Sequence, residues 1–141
     1  MEASLTGGRT AEAKAEAGPV GALAREVFTD IANKWALLII EALEAGTLRF
    51  GQLRARVDGI SHKMLSQTLR TLERDGIVER TPYATVPPRV EYSLTPAGRE
   101  LQTVVHGFCH WTRYHLDHVA AARRRFDTPD HAADATLSNG A

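Results

Sequence analysis

The chain has 141 residues, 17 Lys+Arg against 17 Asp+Glu, a single cysteine and 43% hydrophobic residues. That length suits one ordinary domain with a core of its own, and a lone cysteine excludes an intramolecular disulfide framework. The longest apolar run, Trp35–Ile40, is far short of the roughly 18–20 residues of a membrane span, and Met1–Arg9 lacks the basic and apolar regions of a signal peptide, so the expectation is a cytoplasmic protein without membrane contact.

Residues 1–18 are rich in Ala, Glu and Gly with no apolar period, and Gly18-Pro19 closes them off, which predicts a disordered arm. From Leu23 an apolar period (Leu23, Val27, Phe28, Ile31) gives a first helix, and Asn33 interrupts it. The period resumes at Trp35, Leu38, Ile39, Ala42 and Leu43 and stops at Gly46. Thr47–Phe50 is long enough only for an edge strand or link. Gly51–Val57 reads as a short helix with Phe50, Leu53 and Val57 inward, ended by the turn pair Asp58-Gly59. Ser61 is a good N-cap for an amphipathic helix that runs to Asp75 and stops at Gly76.

Ile77–Thr81 and Arg89–Leu94 alternate as strands, joined by a stiff loop with Pro87-Pro88. Thr95-Pro96 opens a last helix that reaches about Val119, and residues 120–141 lose the pattern and read as a flexible tail. The fold class is therefore mainly α with a small β-hairpin (α+β). A short helix, a tight turn, a second amphipathic helix and then a hairpin is the winged helix-turn-helix order, spanning residues 19–119.

Zero net charge at first argues against a nucleic-acid partner, but the charge is unevenly placed. Residues 1–47 carry four bases and seven acids, residues 48–90 eight bases and four acids, and residues 91–141 five bases and six acids. The middle third is basic between acidic flanks, and local sign matters more to a binding surface than the total. On the Ser61–Asp75 helix, Leu65, Leu69 and Leu72 share one face, and Lys63, Gln67, Arg70 and Arg74 fall within an arc of roughly 60° opposite them. Ser66 and Thr71 flank that arc. Arg and Lys suit guanine edges and phosphates, Gln suits adenine, and small hydroxyls permit close approach. With Ser61, these form the candidate base-reading set. Arg80 and Arg89 on the hairpin and Arg49 before the turn are candidate phosphate anchors. Arg54 and Arg56 are weaker candidates, since both cannot face one way on a helix.

The chain carries, in order, Asn33-Lys34-Trp35, Arg49-Phe50-x-x-Leu53, Gly59-Ile60-Ser61-x-Lys63-x-Leu65, Leu69-x-x-Leu72-Glu73-x-Asp75-Gly76, Pro87-Pro88-x-Val90-Glu91-Tyr92 and Leu94-Thr95-x-x-Gly98, with Trp111 beyond. Together these runs resemble the HxlR-type family of bacterial transcriptional regulators over about residues 19–119. The resemblance implies a homodimer, associated with the bacterial nucleoid, whose first and last helices pack across a two-fold axis. It also implies double-stranded DNA as partner, with two recognition helices in successive major grooves of a pseudo-palindromic operator and the wings on the backbone. The interface residues it implies are Leu23, Val27, Leu101, Val105, Phe108, Thr112, Leu116 and Val119. Many family members carry Cys-Pro-Val near the first helix, where some use the thiol as a sensor; here the run is Gly18-Pro19-Val20, and the nucleophile is missing.

Other readings are weighed beside this one. Cys109 is a small apolar residue at the edge of a stripe before it is a redox thiol. His106 and His110, four apart, have a chelating spacing but no acidic partner cluster, so no metal is assigned. Trp111 is a core or dimer anchor before it is a ligand platform, and Trp35 could border a small effector. No catalytic motif and no cofactor motif is present in the sequence, so an enzyme is not expected. The alternatives carried forward are a winged-helix module that binds protein, and a regulator gated by a small molecule, metal or oxidant.

Overall fold

A computed structural model of the chain describes residues 18–129. The expected N-terminal arm, apart from Gly18, and residues 130–141 of the expected tail lie outside the described residues. The chain divides after Val105 into two units. The first contains α1 (Pro19–Ile31), α2 (Lys34–Ala42) with a 3-10 turn at Leu43–Ala45, β1 (Leu48–Arg49), α3 (Phe50–Arg56), α4 (His62–Arg74), β2 (Val78–Tyr83), β3 (Arg89–Leu94) and the first half of α5 (Pro96–Tyr114). The three strands form one antiparallel sheet in the order β1-β3-β2. The second unit contains the rest of α5 and α6 (Leu116–Phe126).

Asn33 makes the break between the first two helices. Its side-chain amide donates to the Asp30 carbonyl at 2.7 Å while its Oδ1 accepts from the Ala36 N–H at 2.9 Å, closing α1 and capping α2 with one side chain. α2 is buried along Ala36, Ile39 and Ile40, and these pack with Leu43, Leu53, Leu65, Leu69 and Leu72 as the core. Ser61 caps α4 by accepting from the Met64 N–H at 3.0 Å. α4 ends in a Schellman pair: Ile77 N–H donates to the Leu72 carbonyl at 2.9 Å and Gly76 N–H to the Glu73 carbonyl at 3.0 Å. Gly76 sits at φ +73, a backbone region that side chains with a Cβ resist.

The Leu94-Thr95-x-x-Gly98 run has a physical reason. Thr95 Oγ1 donates to the Gly76 carbonyl at 2.6 Å and accepts from Gly98 N–H at 3.0 Å, tying the start of α5 to the end of α4. A Cβ at position 98 would run into the Ile77 carbonyl oxygen, so only glycine fits. The hairpin that follows α4 is thereby fixed against it at both ends.

The last helix differs from its reading. It breaks at His115 (φ −106, ψ 14), and α6 then carries the helix through Phe126, into the stretch read as tail. Ala120–Ala122 and Arg123–Arg125 are strong helix formers, so propensity extends the helix where the apolar period fails. Among the described residues, no helix is long and apolar enough to cross a membrane.

Candidate nucleic-acid interface

α4 is two-faced. Leu65, Leu69 and Leu72 are buried at 1% exposure or less, whereas Lys63, Gln67, Arg70 and Arg74 are all exposed. Core packing fixes the rotation of the helix, so the polar face points outward by the same act that buries the leucines. Ser66 and Thr71 flank this face half-buried, and the Thr71 hydroxyl donates to the Gln67 carbonyl at 3.2 Å. Ser61 is exposed, with its oxygen engaged in the cap.

The two hairpin cations do not act as a pair. Arg80 stands opposite Tyr92 and Arg89 opposite Tyr83 in the register, which puts the two arginines on opposite faces of the sheet. Arg80 lies on the face toward α4, where Arg80 and Tyr92 line a hollow of about 360 Å³ with Ser66, Leu69, Arg70 and Glu73. Arg70 and Arg80 thus converge on the seam between the helix and the wing. Arg89 lies on the other face, its guanidinium 4.4 Å from the Tyr83 ring centroid and its Nε 3.3 Å from Glu91 Oε1. It is a tied cation, set apart from Arg80 by its face of the sheet and by these contacts. Arg49 is exposed and stands opposite Glu91, on that same outer face.

On its other flank α4 borders a second hollow, about 380 Å³, lined by Gln67, Thr71, Met64 and Thr68 together with Thr29, Asp30, Asn33 and Trp35. Trp35 is half-buried there, with the Lys34 ammonium 4.5 Å from its ring centroid. Nearby, the Asp75 carboxyl is pushed above its ordinary value by burial, by the facing Asp30 carboxyl and by the Glu26 charge, with Arg74 opposing.

One residue was missed by the sequence reading. His62, the first residue of α4, is exposed and its ring lies 4.6 Å from that of Phe50, at an interplanar angle of 48°. Phe50 is correspondingly half-buried, not the fully inward residue expected. No periodicity could have flagged the contact, because it joins the starts of two different helices.

The expected dimer residues split. Val105 is 3% exposed and belongs to the chain's own core, which removes it from any outer face. Leu101, Val27 and Val119 are half-buried; Leu23, Phe108, Thr112 and Leu116 are exposed. The exposed large apolar residues of α5 are Val104, Phe108, Trp111 and Tyr114, and of these Phe108 is among the expected interface residues. Trp111 is 52% exposed, so it is no core residue, and its ring stacks on His115 at 4.8 Å. Cys109 is half-buried, and its carbonyl accepts from Arg113 Nε at 3.5 Å.

Comparison with known proteins agrees with this architecture. The profile of the HxlR-like helix-turn-helix family matches residues 30–120. The chain is 44% identical over 99 residues to the HTH-type transcriptional regulator YtfH of Escherichia coli K12, covering 70% of this chain and 79% of that one. Among solved structures it is similar to the transcriptional regulator ytfH from Salmonella typhimurium (TM-score 0.68, 44% identity, 72% of this chain and 90% of that one). It is also similar to a redox regulator, HypR, in its reduced form (TM-score 0.64, 36% identity, 70% of this chain and 97% of that one).

Proposed function

This chain belongs to the HxlR-like helix-turn-helix family of transcriptional regulators, and from that premise we propose that it binds a pseudo-palindromic operator in double-stranded DNA as a homodimer, in the bacterial cytoplasm. The observation that carries the reading is the outward row Lys63, Gln67, Arg70 and Arg74 on a helix locked by three buried leucines, with Arg80 beside it. α4 enters the major groove, where Arg70 and Gln67 meet base edges and Lys63 and Arg74 meet phosphates; Ser61, Ser66 and Thr71 contact whichever group comes close. Arg80 holds the backbone where it crosses to the wing. Arg49 and the tied Arg89, on the outer face of the sheet, are secondary backbone contacts.

Homodimerisation is supported by apolar side chains left in water: Val20, Leu23 and Phe28 on α1, and Phe108, Trp111, Tyr114 and Leu116 in the second unit. Large aromatic residues so exposed are typical of surfaces that a partner covers. Two half-sites one or more helical turns apart follow from a two-fold dimer.

The test is selection of bound duplexes from a random pool, followed by a salt titration on the winner. A winner with two-fold symmetry, and an affinity that falls steeply as salt rises through counterion release, is expected. Absence of any duplex binding at low salt would replace this reading with that of a protein-binding winged helix.

A further inference from the structure

The reading helix begins with a residue that no motif singles out. His62 is the first helical residue after the Ser61 cap, it is exposed, and among the described residues its ring has one partner, the ring of Phe50 at 4.6 Å. Phe50 is itself the first residue of α3, and α3 is locked by the fully buried Leu53 and by the Gln52 Oε1 that accepts from Arg49 N–H at 2.8 Å. The first helix of the helix-turn-helix thus holds a side chain of the second in one place. A histidine on a solvated face would ordinarily sample several rotamers; here an aromatic wall fixes it.

Its direction matters. At about 100° per residue His62 lies roughly 40° from Ser66 and roughly 80° from Arg70, on the wing side of α4 and one turn before Ser66 toward the helix N-terminus. The N-terminal residues of a recognition helix are among those that reach base edges. The neighbourhood is positive: Lys63 follows directly, and the unpaired N–H groups of the first turn add partial charge. A ring N–H in such a place favours a base edge made of acceptors, and guanine presents two side by side, N7 and O6.

We infer that His62, positioned by Phe50, is a specificity-determining residue that donates to a guanine edge at one position of each half-site. This rests on the DNA-binding reading above. Lys63 and Arg74 supply affinity without regard to sequence, whereas His62 supplies discrimination. Phe50 touches no DNA in this arrangement and acts only by holding the ring.

The experiment compares duplexes selected by the wild-type chain, by His62→Ala and by Phe50→Leu, each first shown to melt as a folded protein. The wild type is expected to select a guanine at one symmetric pair of positions. His62→Ala should lose about 5- to 100-fold of discrimination at that pair alone, with the preferences set by Gln67 and Arg70 intact. Phe50→Leu should blur the same pair to a smaller degree, although it retains the histidine. A uniform loss of affinity with a reduced salt slope in His62→Ala overturns the inference, because that is the behaviour of a phosphate contact. Unchanged preferences in His62→Ala overturn it too. Failure of the wild type to select any duplex removes the DNA-binding reading first and this inference with it. Should Phe50→Leu not fold, His62→Ala still decides, since its side chain is exposed and carries no core.

Discussion

The winged core and the helices that flank it treat their apolar residues in opposite ways. From Ala36 to Val105 the large aliphatic side chains are mostly sealed: Ile39, Ile40, Leu53, Leu65, Leu69 and Leu72 are at 0–1% exposure. On α1 and in residues 106–129 most of the aromatic and branched residues stand in water, with Phe28 71% and Tyr114 77% exposed. α6 has no buried residue at all. The core is complete within one chain, while the flanking helices hold an unfinished hydrophobic surface. The contrast separates residues whose loss should unfold the chain from residues whose loss should weaken the proposed dimer.

The largest expected effect is in the core. Leu69→Ala removes a fully buried side chain from the face that fixes α4, at a cost of about 2–5 kcal/mol in denaturant unfolding. A cost near zero would mean that α4 is not anchored by its leucines, and the fixed orientation of its polar face would lose its basis. The flanking surface should answer differently. Phe108→Asp is expected to leave the protomer folded but weaken self-association by about 2–4 kcal/mol, the scale of an aromatic anchor. Sedimentation at micromolar concentration should then give a monomer mass where the wild type gives a dimer. A dimer mass in both would place the interface elsewhere.

A smaller effect is expected on the exposed face of α4. Arg70→Ala changes neither core nor flanking surface, so unfolding and self-association should match the wild type. Affinity for a selected operator should fall by about 1–3 kcal/mol per half-site, with relaxed preference at one position. Binding as tight as wild type, measured by fluorescence anisotropy on labelled duplex, would take Arg70 out of the reading face.

Much of this is legible in the sequence. The face of α4 follows from three leucines at helical spacing, and the helix–wing order from turn residues at Asp58-Gly59 and Gly76. What was illegible had particular causes. The strand alternation that marked Arg80 and Arg89 carries no cross-strand register, so the split of the two arginines between faces could not be read. Val105 and Val104 are equally apolar neighbours, and only packing decides which of them turns inward. The extension to Phe126 rests on propensity without an amphipathic period, a signal weaker than periodicity. The contact of His62 with Phe50 joins residues twelve apart across a turn, and no local rule pairs them.

The smallest effect tests the polar contact where α1 meets the core. Asp30 is in the last turn of α1 and Asp75 caps the C-terminus of α4, so both carboxylates sit at the helix ends that disfavour negative charge. Asp75 Oδ2 is buried with no hydrogen-bond partner. Burial first, and then the Asp30 carboxyl, raise the Asp75 pKa from its ordinary 3.8. With the folded value above the unfolded one, the native chain binds more protons across that interval, so stability falls as pH rises through it and the deficit persists at neutral pH. Asp75→Asn replaces the repelled charge with an amide that donates to Asp30. The expected gain is about 0.5–1.5 kcal/mol at neutral pH, the ordinary worth of one hydrogen bond, together with a flatter stability profile in mild acid. A variant less stable at pH 7, beside a wild type whose stability rises with pH through this interval, would show that ionised Asp75 supports this contact, and the junction between α1 and the core would then be as settled as the core itself.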